Sequence, residues 1–191
     1  GNPLTIGTGG IDMSAAAQDL TFTSGVTIAN GKQIWDVANG RTVTAAAIPT
    51  KPGQPNNNAG MVQFGTTGTI TLGASTANVI ADNQGNPWAT YGLNAWAGVN
   101  NGVVVPSTVV DVDGTTVLFT NGEVNNIVAD FTYSTNAVPS PSAMQFGSAA
   151  PVTLSIASNR TITARGILVT ADSGGGGILN SGSGGFIRPN R

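Results

Sequence analysis

The sequence predicts an all-β fold, a parallel β-helix or solenoid with protruding loops, and three observations carry that prediction. Short segments alternate a large apolar residue with Thr at period two: Leu4-Thr5-Ile6, Leu20-Thr21-Phe22, Val26-Thr27-Ile28 and Arg41-Thr42-Val43-Thr44. Gly- and Asn-rich separators follow them, at Gly7-Thr8-Gly9-Gly10, Ser24-Gly25, Ala29-Asn30-Gly31 and Ala38-Asn39-Gly40, which is the chemistry of tight corners. No stretch shows a capped amphipathic helix; Ser14–Asp19 has room for one helical turn and no more.

The remaining elements follow along the chain. The eleven-residue stretch 49–59 holds Pro49, Pro52 and Pro55, so it is read as a loop thrown out of one coil. Met61-Val62-Gln63-Phe64-Gly65 with Ile70-Thr71-Leu72 echoes Met144-Gln145-Phe146-Gly147 with Val152-Thr153-Leu154. Gly40-Arg41-Thr42-Val43-Thr44-Ala45 echoes Asn159-Arg160-Thr161-Ile162-Thr163-Ala164. The order of the echoes is not preserved, which suits a solenoid whose coils share one vocabulary. Residues 81–102 set Trp88, Tyr91 and Trp96 among Asn and Gly and read as a second, larger excursion with a small hairpin of its own. Val138-Pro139-Ser140-Pro141-Ser142 is a softer break, and 174–177 and 181–185 are Gly-rich turning segments.

An antiparallel β-sandwich, including a pilin-like one, is the alternative. It needs strands of even size with hairpin turns every ~8–12 residues. Here the strand segments are short and unevenly spaced, which suits a coil that turns after every strand and stacks on the next at ~4.8 Å. With roughly 20–25 residues per coil the chain makes about eight or nine coils in a single solenoid segment spanning 1–191. Val26, Ile28, Val43, Ile70, Leu72, Val152, Leu154, Ile162 and Leu168 are expected in the interior.

Composition narrows the function. Charged residues are 8% of the 191 and the net charge is −2, so there is no basic field to draw nucleic acid. A hydrophobic share of 40% argues against disorder. No run reaches the ~20 apolar residues of a membrane helix. There is no Cys, so disulfides play no part. There is no His either, which removes Ser-His-Asp and Cys-His catalysis and most zinc sites.

The run Leu4-Thr5-Ile6-Gly7-Thr8-Gly9-Gly10-Ile11-Asp12-Met13, then Asp19-Leu20-Thr21-Phe22, then Gln33-Ile34-Trp35-Asp36-Val37-Ala38-Asn39-Gly40-Arg41-Thr42-Val43-Thr44, resembles autotransporter-associated β-strand repeat proteins. Asn159–Thr163 and Gly166–Thr170 share the idiom. These are long bacterial surface or secreted passengers, so the resemblance implies a right-handed β-helix and an extracellular or cell-surface location. The family's Gly-Thr-Leu-x-Leu-x-Gly signature and terminal outer-membrane barrel have no counterpart in this sequence.

Few residues invite chemistry. Asp111-Val112-Asp113-Gly114 resembles the opening of a calcium loop without its later ligands, and reads first as a strand end entering an Asp-Gly turn. Trp88, Tyr91 and Trp96 are either a sugar-stacking platform or a hydrophobic anchor for the long loop. Arg160 and Arg165 are the only basic candidates with strand context for a polysaccharide-degrading enzyme, and neither has an acid nearby in sequence. No catalytic residue and no cofactor is expected. Strand alternation runs close to both ends of the sequence, so it reads as a subunit or segment of a longer β-rich object. Copies are expected to join head to tail through coil edges at Leu4, Ile6 and Ile11 and at Ile178, Leu179, Phe186 and Ile187. The expected function is structural, in a fibre, filament or surface layer; a glycan-binding adhesin passenger is the alternative.

Overall fold

The structure is a computed structural model and describes residues 2–50, 61–116, 118–174, 178–181 and 185–189. Among them there are twenty strands and no helix. The expected helical turn at Ser14–Asp19 is a plain turn, closed by the Ala16 amide donating to the Met13 carbonyl at 3.1 Å. Parallel strands stack into β-solenoid coils, about seven turns in all. The chain divides into two compact units, Gly1–Asp82 with Trp88–Ser107, and Asn83–Pro87 with Thr108–Arg191, where the sequence suggested one segment.

The first unit has three columns of strands. β1 (Leu4–Ile6) pairs in parallel with β4 (Val26–Ile28), and Thr50 extends that column by a parallel bridge to Thr27. β2 (Ile11–Met13), β5 (Lys32–Val37), β7 (Met61–Phe64) and β9 (Ala89–Tyr91) form the second column. β3 (Leu20–Phe22), β6 (Thr42–Ala45) and β8 (Thr69–Leu72) form the third. The register puts like on like: Ile6 on Ile28, Ile11 on Trp35 on Phe64 on Tyr91, and Leu20 on Val43 on Ile70. Period-two alternation therefore becomes inward aliphatic and aromatic ladders, with Thr ladders outside. Thr27 and Thr50 share a hydroxyl hydrogen bond of 3.0 Å, and Thr71 donates to Thr44 at 3.0 Å.

The top of this stack differs from a plain solenoid. β10 (Ala95–Asn100) and β11 (Val103–Pro106) form an antiparallel hairpin whose outer strands join β9 and β8. The segment 81–102, expected to project, thus supplies two strands and part of the core. A hairpin adds no coil, which helps explain a turn count below the expected eight or nine. Of the loop expected at 49–59, only 49 and 50 fall within the described residues.

The second unit also has three columns. β12 (Val109–Val112), β13 (Val124–Ile127), β15 (Ala143–Phe146) and β18 (Ile167–Val169) form one. β14 (Phe131–Tyr133), β16 (Thr153–Ile156) and β19 (Ile178–Ser181) form another, and β17 (Thr161–Ala164) with β20 (Phe186–Pro189) the third. Its core centres on Val112, Ile127, Met144, Phe146, Leu154, Ile156 and Ile162.

Eight of the nine residues expected in the interior are buried: Val26, Ile28, Val43, Ile70, Leu72, Val152, Leu154 and Ile162. Leu168 is only half-buried. It stands in register over Gln145, Asn126 and Asp111, on the polar ladder rather than the apolar one.

Candidate functional site

The feature that distinguishes this surface is a set of coil edges with a strand partner on one side only. Among the described residues β1, β2 and β3 pair only with β4, β5 and β6, and β18, β19 and β20 only with β15, β16 and β17. The N–H and C=O of a strand residue point to the same side, and successive residues alternate. The Leu4 amide donates to the Gly25 carbonyl at 2.9 Å and the Ile6 carbonyl accepts from Ala29 at 2.8 Å, so Leu4 and Ile6 face β4. Thr5 between them turns its N–H and C=O to the open side. At β18, Met144 donates to Gly166 at 2.8 Å and Thr170 to Phe146 at 3.1 Å, so Gly166, Leu168 and Thr170 face β15. Ile167 and Val169 therefore turn their backbone groups outward.

The apolar ladders end at the same place. Val112, Ile127 and Phe146 are fully buried and stacked in register, and the next rung, Val169, is 48% exposed. Ile167, the rung after buried Asn125 and Met144, is 40% exposed. These side chains occupy interior positions with no coil laid over them. At the other edge Leu4 is exposed, while Ile6 and Ile11 are buried. Phe186 is exposed and Ile187 packs against the core of the second unit; the backbone of Ile178 and Leu179 lies on β19. Asp12 is the one charged residue in β1–β3. Its carboxylate accepts from the Ser14 hydroxyl at 2.7 Å and the Ser14 amide at 3.0 Å, and these bonds, the hydroxyl's foremost, hold it below the ordinary carboxylate value of 3.8.

The other candidates are built into the framework. Trp88 is 2% exposed and Trp96 3%, while Tyr91 is half-buried against the first unit's core, so they present no open stacking face. The reason is that β9 and β10 belong to the sheet and not to an excursion. The Asp113 carboxylate accepts from the amides of Thr115 and Thr116, both at 2.9 Å, and from the Thr116 hydroxyl. With Gly114 at φ 75°, this is an Asp-Gly turn. Asp111 accepts from the Asn126 amide group at 2.8 Å. Among the described residues no three His, Cys, Asp or Glu side chains gather where a metal ion would sit. Arg160 donates to the Ser134 carbonyl at 2.9 Å, and the Arg165 guanidinium lies over Gly85. No described helix is long and apolar enough to cross a membrane, which leaves β-barrels aside.

No protein-family model, no curated protein and no solved structure matches this chain.

Sequence reasoning expected a small hairpin within 81–102 as part of a projecting loop; the β10–β11 hairpin runs on to Pro106 and lies in the sheet. A signal for it was present: Asn101-Gly102 between Val99 and Val103-Val104-Val105 is a strong two-residue hairpin pattern. Both turn residues have positive φ, 47° and 85°, as a type I′ turn requires.

Proposed function

We propose that this chain is structural: a subunit or segment of an extracellular fibre, filament or surface layer, extended by stacking further β-coils on its open edges. The observation that carries the reading is the abrupt change from fully buried Phe146 to half-exposed Val169 along one ladder, on a strand whose outward backbone groups face no other strand among the described residues. Stacking another coil there covers the apolar rungs and satisfies the backbone donors and acceptors together. The added coil comes from a second copy, head to tail, or from continuing polypeptide. A head-to-tail contact is heterologous and propagates as an open filament unless it closes into a ring. With only 8% charged residues, few like charges oppose the approach. The mechanical role follows from the same bonds, since inter-coil hydrogen bonds and buried ladders resist extension and proteolysis together. Placement at a bacterial cell surface is part of this reading and rests on the sequence resemblance. The glycan-binding and polysaccharide-degrading readings have no comparable observation in their favour.

The test is electron microscopy and sedimentation of the purified chain, alone and as Thr5→Pro. Thr5 turns its amide away from β4, so proline there spares the internal ladder and blocks the open one. Rods that lengthen with concentration, and a folded Thr5→Pro that does not extend, are expected. A monodisperse monomer at high concentration, or normal extension by Thr5→Pro, overturns self-assembly.

A further inference from the structure

We infer that the β10–β11 hairpin is a growth stop, sealing the one end of the first unit where β8 and β9 would otherwise offer their edges to another extended β-chain. β9 is met by β10, with Tyr91 opposite Ala95 and Thr90 opposite Trp96. β8 is met by β11 at Thr71 and Val103, and the Leu72 amide donates to the Gly102 carbonyl at 2.7 Å. β10 is itself occupied on both sides. Gly98 and Asn100 face β11, while Ala97 accepts from Ile80 at 2.7 Å and Val99 exchanges two 2.8 Å bonds with Ala77. This edge is covered by antiparallel pairing, which a parallel coil cannot continue in register.

The hairpin also plugs the core. Ala97, Val99 and Val104 are buried in the same cluster as Phe64, Leu72 and Ala89. That is the opposite of the β18 end, where Ile167 and Val169 stand exposed. Two glycines make the seating possible. A Cβ at Gly98 would lie 2.6 Å from the Asn78 carbonyl oxygen, and one at Gly102 would lie 2.0 Å from the Gly73 carbonyl oxygen, at a φ of 85°. An aggregation-prone edge is thereby closed by fold rather than by charge. Among the named strands of the first unit, growth is then left to the β1–β3 edge. That polarity rests on the assembly reading above; the seal does not.

Two measurements on the full chain test it. In the unaltered protein, the amides of Leu72, Ala77 and Val99 should exchange with solvent within about tenfold of Gly65 and Thr69, which lie inside the stack. Exchange more than about a hundredfold faster means a frayed hairpin and overturns the seal. In Gly102→Val, whose branched side chain cannot occupy the Gly102 position, self-association should begin at a concentration at least about tenfold lower than for the parent. Excess synthetic peptide of residues 95–106 should suppress it. A folded Gly102→Val that associates no more than the parent overturns the stop; if the variant does not fold, the exchange measurement decides. A parent that never associates beside a variant that does keeps the stop and removes end-to-end assembly. A parent that assembles beside a variant that adds nothing does the reverse.

Discussion

Trp35 and its register partner Phe64 on the next coil meet edge to face, with ring centroids 5.4 Å apart and planes at 88°. Both rings are fully buried, with Ile11 below and Tyr91 above in the same ladder. The Trp35 indole N–H is directed to the Gln33 side-chain oxygen at 3.4 Å, and the Gln33 amide group donates to the Ile6 carbonyl at 2.9 Å. One aromatic contact thus joins adjacent coils, while its polar end ties to the coil beneath.

Phe64→Ala should be among the most damaging single changes in the first unit. It empties a closed site between two coils and removes the partner of Trp35, a loss of about 3–5 kcal/mol. Urea unfolding followed by tryptophan fluorescence measures it. A double-mutant cycle with Trp35→Leu should leave a coupling of roughly 0.5–1.5 kcal/mol for the edge-to-face pair. Additivity of the two changes would show that the ring geometry contributes nothing beyond burial.

The Gly40 and Asn159 corners should be interchangeable. Both residues have left-handed backbone, with φ of 71° and 61°. Each is followed by an Arg whose amide donates back to an Ala carbonyl, Arg41 to Ala38 at 3.0 Å and Arg160 to Ala157 at 3.1 Å. No atom lies within 4 Å of a Cβ built on Gly40. Gly40→Asn and Asn159→Gly should each shift stability by less than about 1 kcal/mol, and Asn159→Val should lose about 1–2 kcal/mol. Melting temperatures of the three variants are the readout.

Asn125 is fully buried yet every part of its side-chain amide is used. Its oxygen accepts from the Thr120 amide at 2.7 Å, and its nitrogen donates to the carbonyls of Thr120 at 2.8 Å and Glu123 at 3.0 Å. These bonds fold the 120–123 corner onto β13. Asn125→Leu keeps much of the volume and strands those backbone groups, so it should lose roughly 1–3 kcal/mol. Amide exchange at Thr120 should quicken in the variant; an unchanged rate would show the corner to be held by other contacts.

Asp12 supplies the pH dependence. Its pKa is depressed in the folded chain by the two Ser14 bonds, so the unfolded chain binds the proton first as pH falls. The contribution is complete above the unfolded carboxylate value and is lost as pH drops through the lower folded one. Because the carboxylate is exposed, the effect on global stability is small and the site itself is the place to look. An NMR titration should put the Asp12 midpoint below 3.8. Ser14→Ala should bring it back toward that value; a midpoint that stays low in Ser14→Ala would assign the shift to another group.

Much of the framework was legible locally. In Val26-Thr27-Ile28, in Thr42-Val43-Thr44 and in Thr161-Ile162-Thr163, alternation alone says which side chains turn inward, because the strand period is two whatever the strand pairs with. Gly10, Gly31 and Gly40 mark corners for an equally local reason, their positive φ. The echo between Arg41–Ala45 and Arg160–Ala164 proved to be one corner and strand used in both units.

What tertiary structure alone decided is which edge meets which. Trp88 and Trp96, read as a stacking platform or a hydrophobic anchor for a long loop, are core, because β9 found β7 and the hairpin turned back across β9 and β8. Leu168 carries the same side chain as Leu154 but stands over Gln145 on the polar ladder, so its burial is set by its register partner and not by its own alternation. Strand alternation and corner are properties of a few adjacent residues, and the sequence determines them by itself. Pairing partner, the seal at one end and the exposed rungs of Ile167 and Val169 depend on residues far apart in the chain, whose edges compete for the same hydrogen bonds until the whole stack has formed.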